Sequence, residues 1–254
     1  MFKSILESVR SQYRLYRKAK EQKEYRGSQV VCPVCNATFR IFSPFGLGHR
    51  TNARCIECSS LERHRLLWLY FQRKTNFFEQ RKRKLLHFAP EEMFYNAFTR
   101  NSNFEYHACD LFPEIYNYNG STKVTKADIT AIPFADSSFD IVLCNHVLEH
   151  IPDDRKAMSE IRRVLKSDGW CILQVPIDYK LEKTYEDFSI TTPAGRKKAF
   201  GKTDHVRWYG RDYKDRLKEA GFTVLEDNFI ETFSKEDIFK FGLMQGELIY
   251  YCTK

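Results

Sequence analysis

The chain has 254 residues, 43% of them hydrophobic, and a formal net charge of +8. This length predicts one large globular domain, or one domain with an appendage. No apolar run approaches the roughly 18 residues that span a bilayer. Lys3, Glu7 and Arg10 interrupt the apolar residues at the start of the chain, which is unlike a secretory signal. We therefore expect a cytoplasmic protein without a transmembrane segment.

The charge is divided unevenly along the chain. Residues 1–84 contain 19 Lys/Arg and 6 Asp/Glu, whereas residues 85–254 contain 22 and 27. A basic front of net charge +13 therefore precedes a body of net charge −5. Two interpretations stay open: the front packs on a body of opposite charge, or it binds an anionic partner such as nucleic acid, a phosphate-bearing substrate or a membrane surface.

The first predicted segment, residues 1–28, is a basic amphipathic helix over residues 2–25. Its apolar residues fall near one helical face: Phe2, Ile5, Leu6, Val9, Tyr13 and Tyr16. Such a helix is suited to peripheral contact with a membrane surface or to docking on its own protein. We favour docking because the apolar face is short and rich in tyrosine.

Four cysteines define the second segment, residues 29–80, as a zinc-ribbon-like module with a connecting helix. They form two C-x2-C pairs with 19 residues between them: Cys32, Cys35, Cys55 and Cys58. Each pair directs two thiolates to one point, so two pairs complete a tetrahedral zinc site. Because four sulfurs fill that site, we expect Zn²⁺ to be structural rather than catalytic. Reducing conditions in the cytoplasm argue against disulfides.

Two local features accompany the cysteines. The cationic side chains of Arg40, Arg50 and Arg54 are expected to favour ionised thiolates. The stretch Ser59-Ser60-Leu61-Glu62 has the S-x-x-E spacing of a capping box, which predicts the start of the connecting helix at this point.

From residue 85 onwards strands and helices alternate. The predicted strands are 85–88, 104–109, 122–126, 139–144, 169–175, 222–228 and 246–252. The clearest helices are 154–165 and 211–220, and a short one is expected at 234–241. This alternation predicts an α/β fold with a mostly parallel sheet.

The segment Lys84–Phe98, KLLHFAPEEMFYNAF, predicts a strand, a tight turn and a helix. Nucleotide-binding sheets open in this way, although their turn carries glycines, which this turn lacks. Asp110 stands at the end of the next strand, about 20 residues further on, where such folds place an acid on the ribose hydroxyls. We therefore interpret the turn as a cofactor site with altered chemistry.

Residues 126–176, beginning KADITAIPFADSSFDIVLCNHVLEHIPDD, carry a family resemblance. This stretch resembles the class I S-adenosylmethionine-dependent methyltransferases, and within them the type 11 group and bacterial members with a four-cysteine front. The resemblance extends over residues 85–254 and implies a methyltransferase domain over 81–254. It also implies a Rossmann-like sheet of seven strands with the last strand antiparallel, and S-adenosyl-L-methionine as cofactor.

The resemblance assigns roles residue by residue. Asp110 corresponds to the acid on the ribose hydroxyls, and Asp128 and Ile129 correspond to the pair that holds the adenine. Asn145 and His146 correspond to positions beside the methionine part of the cofactor. The segment DHVRWYGRDYKDRLKEAGF corresponds to the H-x-R-x-aromatic stretch before the last helix.

The opening turn departs from the family pattern. Its residues are Phe88, Ala89, Pro90 and Glu91. His87 stands where the family has an acid, and Ala89 and Glu91 stand where it has glycines. Ala89 is small enough to let the backbone approach a ligand, but we expect it at negative φ. Glu91, or the neighbouring Glu92, is the expected substitute for the missing acid.

Methyl transfer to a hydroxyl requires a base near the acceptor. The candidates are His146, Glu149, His150 and His205, and we favour His146 and His205. The long segment 177–209 is expected to cover the site and hold the acceptor. Its candidate substrate contacts are Tyr185, Glu186, Arg207 and Tyr209.

The type of acceptor is predicted from a motif that this sequence lacks. Enzymes that methylate exocyclic amines of adenine or amides carry an Asn/Asp-Pro-Pro-aromatic tetrad after the fourth strand, where this chain reads Asn145-His146-Val147-Leu148. We therefore expect a hydroxyl of a small molecule or saccharide. One alternative is a zinc-bearing RNA methyltransferase, favoured by the basic front. Another is a catalytically inactive cofactor-binding or interaction module. The sequence leaves the oligomeric state open.

Overall fold

The computed structural model describes residues 2–46, 48–118 and 122–254, and the side chains of the first helix only at residues 12, 13 and 15–24. The helices are α1 (Phe2–Glu24), α2 (Glu62–Lys74), α3 (Glu92–Phe98), α4 (Asp154–Val164), α5 (Pro193–Phe200), α6 (Tyr213–Glu219) and α7 (Lys235–Phe241). The strands are β1 (Val30–Val31), β2 (Thr38–Phe39), β3 (Ser43–Phe45), β4 (Arg50–Arg54), β5 (Arg83–Phe88), β6 (Phe104–Asp110), β7 (Thr125–Lys126), β8 (Phe139–Asn145), β9 (Leu165–Gln174), β10 (Tyr185–Glu186), β11 (Arg207–Trp208), β12 (Thr223–Asp227) and β13 (Ile249–Thr253). Short 3-10 helices cover Pro113–Ile115, Leu148–His150 and Phe229–Thr232.

The chain divides into two compact units. The N-terminal unit comprises Met1–Glu79 and Asn228–Leu248, and the sheet unit comprises Gln80–Asp227 and Ile249–Lys254. The segment Asn228–Leu248 therefore belongs to the N-terminal unit, although the sequence predicted one methyltransferase domain over 81–254. Among the helices that the structure describes, none combines the length and apolar character needed to cross a bilayer.

The N-terminal unit is built on two antiparallel hairpins, β1 with β2 and β3 with β4. A small apolar cluster fills it: Val30, Cys32, Phe39, Phe42, Cys55 and Ile56. The second half of α1 contacts the cysteine-bearing loops, because Lys18 and Gln22 each donate to Glu57 at 2.8 Å. The apolar face predicted at Phe2, Ile5, Leu6 and Val9 lies outside the described side chains, whereas Tyr13 and Tyr16 are exposed.

A buried arginine explains why the late segment joins this unit. The Arg65 guanidinium donates to the carbonyls of Phe241 and Gly242, both at 2.6 Å, where α7 ends. Cations are stabilised by the free carbonyls at a helix C-terminus. Gly242 has φ +56°, and a Cβ there would lie 2.5 Å from the Phe42 ring. Only glycine fits this close approach without strain.

The helix α2 does not use the predicted capping box. It begins at Glu62 after Leu61, whose N–H donates to His64 Nδ1 at 3.1 Å. Ser60 instead lies against the cysteines, with its Oγ 3.2 Å from Cys32 Sγ. Because Ser60 contacts the cysteines, the helix starts two residues later than the S-x-x-E spacing predicted.

The sheet unit confirms the predicted fold class. Its seven strands lie in the order β12-β13-β9-β8-β5-β6-β7, and β13 is antiparallel to both of its neighbours while the other pairs are parallel. Sequence and structure differ at some ends. The strand β9 begins at Leu165, where a helix was expected, because Leu165 pairs with Phe139. At the edge of the sheet, β7 is limited to Thr125–Lys126.

Candidate active site and candidate metal centre

A cavity of about 450 Å³ opens at the carboxyl ends of the parallel strands. This is the edge at which α/β sheets bind ligands, and the volume lies within the range of small-molecule sites. The residues that line it are Phe88, Ala89, Asp110, Leu111, Phe112, Ile115, Ala127, Asp128, Ile129, His146, Val147, His150, Ile151 and Asp204. Six predicted cofactor residues are among them: Phe88, Ala89, Asp110, Asp128, Ile129 and His146.

Two residues of the cavity wall have left-handed backbone conformations. Ala89 has φ +48° and His146 has φ +55°. The expectation of a negative φ at Ala89 was therefore wrong. The Ala89 N–H donates to the Cys109 carbonyl at 3.0 Å, and the His146 N–H donates to the Gln174 carbonyl at 2.7 Å. Such conformations cost about 1–3 kcal/mol each and concentrate at functional sites.

The two acids are held by local hydrogen bonds. Asp110 accepts from the Phe112 N–H at 2.8 Å and from the Tyr116 hydroxyl at 2.7 Å. Asp128 Oδ1 accepts from the Thr130 N–H and hydroxyl, which lowers the pKa of Asp128. Both acids therefore have fixed orientations at neighbouring strand ends, as an acid that accepts from a ligand hydroxyl or amine requires.

Three other predicted cofactor residues, Pro90, Glu91 and Asn145, do not line the cavity. Glu91 Oε2 lies 2.8 Å from His87 Nε2, and Glu91 Oε1 accepts from Asn145 Nδ2 at 3.2 Å. The Pro90 carbonyl accepts from the Tyr118 hydroxyl. These residues form a polar layer under the turn, so they support the residues that face the cavity.

The four candidate bases come together beside the cavity. The donor atoms of Glu149, His150 and His205 lie within 4.8 Å of one another. Glu149 Oε1 is 3.4 Å from His146 Nδ1. The rings of His150 and His205 are T-shaped, with centroids 4.8 Å apart. Burial lowers the pKa of His205, although the Glu149 carboxylate opposes this effect.

The predicted substrate contacts lie elsewhere. Arg207 is 1% exposed and donates to the carbonyls of Leu148, Ile151 and Pro152. Its Nε also donates to Glu186 at 2.9 Å. A guanidinium so occupied has little left to offer a ligand, and it instead fixes the loop that follows Leu148.

The other two predicted contacts differ in exposure. The buried Tyr209 hydroxyl donates to Asp154 at 2.7 Å. Tyr185 is 44% exposed and packs on the Phe200 ring with centroids 5.5 Å apart. Neither residue lines the cavity.

Sequence reasoning assigned no role to several residues of the cavity wall. Leu111, Phe112 and Ile115 form an exposed apolar edge next to Asp110. An apolar run beyond a strand-end acid was the available signal, but it is equally typical of core. Asp204 belongs to the long segment 177–209, and its carboxylate lies 3.4 Å from His150 Nδ1.

The four cysteines of the N-terminal unit are arranged as a metal centre requires. Their sulfurs lie within 4.8 Å of one another, and both Cys32–Cys58 and Cys35–Cys55 are 3.6 Å apart. A tetrahedral ion with Zn–S bonds of about 2.3 Å holds its sulfurs about 3.8 Å apart. The donor set therefore fits zinc.

The arginines expected beside the thiolates are used differently. Arg50 donates to Glu62 at 2.8 Å, Arg54 to Glu21 at 2.7 Å, and Arg40 to the Glu24 carbonyl at 3.0 Å. Instead, the buried guanidinium of Arg65 interacts electrostatically with Cys32 and Cys55. The sequence missed Arg65 because it stands inside an ordinary helical pattern.

Comparisons with known proteins agree with this arrangement. A family model described as a methyltransferase domain matches residues 92–173. An uncharacterized protein of Methanocaldococcus jannaschii, MJ0638, is 46% identical over 66 residues, which are 25% of this chain and 29% of that protein. The uncharacterized methyltransferase YcgJ of Bacillus subtilis is 49% identical over 43 residues, 17% of each chain. The aligned parts are thus less than a third of these relatives.

A solved structure shares the fold. The S-adenosylmethionine dependent methyltransferase from Mesorhizobium loti superposes with a TM-score of 0.50 at 10% identity, covering 74% of this chain and 98% of that one. Three observations indicate the same fold: the strand order, the acids at the strand ends and the match of residues 92–173. Residues 92–173 therefore match a methyltransferase domain, and the sheet that contains them has the class I methyltransferase fold.

Proposed function

We propose that this domain is catalytically active and methylates a hydroxyl of a small molecule or saccharide. The observation that carries the proposal is the position of His146 in the cavity wall, with its Nδ1 3.4 Å from the buried Glu149 carboxylate. Its Nε2 is buried and has no hydrogen-bond partner within the part of the chain that the structure describes. An imidazole oriented by a carboxylate on one nitrogen is equipped to accept a proton on the other.

The cavity residues have the chemistry to hold the cofactor. We assign Asp110 to the ribose hydroxyls, Asp128 to the adenine amine and Ile129 to the face of the adenine ring. Carboxylates accept from hydroxyl and amine groups, and Ile129 offers a buried apolar surface. When bound, S-adenosylmethionine supplies a methyl group activated by its positively charged sulfur.

The strained turn supports the same assignment. At Ala89 the positive φ lets the backbone take the path that glycine gives other nucleotide-binding turns. The buried polar layer beneath it, through His87 and Glu91, holds that conformation. The glycine-free turn is therefore proposed to bind the cofactor through its backbone, with Phe88 and Ala89 at the cavity wall.

Cofactor binding is tested by calorimetric titration of zinc-replete protein with S-adenosylmethionine. Asp110→Asn is expected to weaken binding at least about 10-fold, because the amide accepts less strongly from two hydroxyls. Asp168→Asn, which alters an exposed acid of strand β9, is the matched control and should bind normally. Absence of binding by the unaltered protein would contradict the proposal and favour the inactive interaction module.

Methyl transfer is tested by following isotope-labelled methyl groups from the cofactor into a panel of acceptors. Saccharides and hydroxylated small molecules form the first panel, and RNA forms the second. His146→Gln is expected to lower kcat by about 100-fold or more while leaving cofactor affinity within about threefold. Labelling of RNA alone, with steep salt dependence, would overturn the hydroxyl-bearing small molecule in favour of the RNA alternative.

We also propose that the four cysteines hold a structural zinc ion within residues 29–80. The support is the fit of the two 3.6 Å sulfur separations to a tetrahedral site with four sulfur ligands. Four thiolates leave no coordination position for a substrate, so the ion stabilises the N-terminal unit and takes no part in methyl transfer.

A further inference from the structure

A second group of metal-binding side chains lies in the sheet unit, apart from the cysteines. It consists of Glu149, His150 and His205, whose donor atoms lie within 4.8 Å of one another. Glu149 and His150 belong to the 3-10 helix Leu148–His150 that follows strand β8, and His205 comes from the segment before strand β11. Two imidazoles and one carboxylate are a ligand set for divalent transition-metal ions that leaves coordination positions open.

The Glu149 carboxylate is buried with too few hydrogen-bond partners to satisfy it. Glu149 is 1% exposed, and its Oε2 has no hydrogen-bond partner among the residues that the structure describes. Its backbone carbonyl accepts from the Val206 N–H at 2.9 Å, which fixes it beside His205. A buried carboxylate is costly unless a cation or several donors satisfy it. An ion held between Glu149 and the two imidazoles meets this requirement.

The histidines are prepared for the same role. His205 is 3% exposed, and its Nδ1 is buried without a partner in the described part of the chain. The Nδ1 of His150 lies 3.3 Å from the Asp204 carbonyl oxygen and 3.4 Å from its carboxylate. Metal-binding histidines commonly donate their second nitrogen to such an oxygen, which orients the ring. His150 Nε2 is then turned towards Glu149, 4.0 Å away.

The distances are compatible with closure on an ion. Donor atoms about 2.1 Å from a metal lie roughly 3–4 Å from one another. The three side chains therefore need only small rotations to close from their present separations. His150 and Asp204 also line the cavity, so an ion at this position faces the space where the acceptor binds.

We propose that Glu149, His150 and His205 bind a divalent transition-metal ion that holds the oxygen of the acceptor hydroxyl beside His146. The proposal rests on the proposed methylation of a hydroxyl, and it gives His205 the role of a ligand instead of a base. The hydroxyl proton passes to His146 Nε2, the oxygen bonds to the methyl carbon, and the bond from that carbon to sulfur breaks with its electron pair left on sulfur. The metal keeps its oxidation state.

The test is titration with Co²⁺ of protein that holds one zinc ion per chain, as measured before the titration, followed by calorimetry and absorption spectroscopy. One equivalent is expected to bind with weak visible bands only. Cobalt bound by the four cysteines would instead give intense thiolate charge-transfer absorption, so the two sites are distinguished directly. Absence of binding, or binding only with thiolate absorption, overturns the proposal.

Variants locate the ion. Glu149→Gln and His205→Gln are each expected to weaken Co²⁺ binding by roughly 100-fold or more, since even outer-shell partners are worth 10–100-fold. If these buried variants do not fold, His150→Gln tests the site instead. Its ring is 31% exposed, so we expect this variant to fold. His107→Gln is the matched control: its ring is also 31% exposed and lies 3.2 Å from a glutamate, but outside the cavity. Equal affinity in His150→Gln and His107→Gln overturns the site.

Cofactor titration separates this inference from the proposed function. If S-adenosylmethionine binds and methyl transfer proceeds at full rate in protein that holds one zinc ion per chain and no other metal, the metal site is wrong and the enzyme stands. If one Co²⁺ binds at the three ligands but the cofactor does not bind, the enzyme proposal is wrong and the ligand assignment stands.

Discussion

The imidazole of His87 lies 2.8 Å from the carboxylate of Glu91, between strand β5 and helix α3. His87 is fully buried, and its other nitrogen lies 3.0 Å from the Tyr106 hydroxyl. Glu91 also accepts from Asn145, so one carboxylate joins the ends of strands β5 and β8. The left-handed Ala89 lies between these two residues in the chain. We expect this pair to hold the turn in the conformation that glycines give other nucleotide-binding turns.

Glu91→Ala is therefore expected to destabilise the protein and weaken cofactor binding. Removal of the carboxylate leaves His87 Nε2 and Asn145 Nδ2 without this acceptor, at about 1–3 kcal/mol for each buried group. Urea unfolding measures the loss of stability, and calorimetry measures the cofactor affinity. Glu92→Ala is the matched control, because the adjacent Glu92 is exposed. Equal behaviour of the two variants would show that the pair does not hold the turn.

Several residues of the cavity wall were predictable because they follow strand ends. Asp110 was expected at such an end from its spacing after the turn, whereas Asp128 was assigned from the family resemblance. The backbone at Ala89 was not predictable in this way. Its positive φ depends on hydrogen bonds from distant residues, which no local propensity records.

The predicted substrate contacts agree less well with the cavity wall, because their charge had suggested exposure. Charged and polar residues are mostly exposed, so Arg207 and Glu186 were interpreted as ligand contacts. The structure instead buries Arg207 with Glu186 and three backbone carbonyls. Glu149 was predicted as a candidate base. The sequence does not show that its carboxylate is buried with too few hydrogen-bond partners, or that the fold places His205 beside it.

Loss of one zinc ligand is expected to open the cysteine loops. In each loop an N–H bonds back to the first cysteine, from Asn36 to Cys32 at 2.8 Å and from Ser59 to Cys55 at 2.9 Å. Asn36 and Ser59 both have φ +61°, so we expect a bound zinc ion to stabilise strained turns. Cys58→Ser should remove the zinc and raise hydrogen exchange at these two amides by at least about 10-fold.

The matched control for that variant is Cys109→Ser, which alters a buried cysteine of strand β6. Burial raises the pKa of the Cys109 thiol to about 12, as expected for an inert thiol. This variant should keep its zinc, measured by mass spectrometry of the metal. Retention of full zinc content by Cys58→Ser would contradict the assignment of the four cysteines as zinc ligands.

Arg65→Lys is expected to destabilise the N-terminal unit although it keeps the charge. The guanidinium donates to five carbonyls, and its distances to those of Ser60 and Ala53 are 2.7 and 2.9 Å. An ammonium group cannot reach this spread of acceptors, and each charge-assisted hydrogen bond is worth about 1.5–3 kcal/mol. We expect a loss of at least about 3 kcal/mol in urea unfolding, which is one or two such bonds. Arg26→Lys, at an exposed position of the same unit, should be neutral.

Acid should weaken the support of the loop that carries Asp128 and Ile129. Glu160 accepts from Arg163 at 2.7 Å and from the Ile132 N–H at 2.9 Å. These bonds, with that from Arg163 the larger cause, hold the pKa of Glu160 below its usual value. Since the folded-state pKa is the lower one, this stabilisation is complete above the unfolded pKa of about 4.3. It is lost as pH falls through the folded-state value.

Glu160→Gln should therefore cost about 1 kcal/mol of unfolding free energy at pH 7, and the difference from the unaltered protein should shrink below about pH 4. Urea unfolding across this pH range measures both quantities. Glu182→Gln is the control, because its side chain is 79% exposed and should change neither. Because Ile132 follows the adenine-side residues so closely, the Glu160 variant should also bind S-adenosylmethionine more weakly. A pH-independent difference would mean that the Glu160 charge does not stabilise this loop.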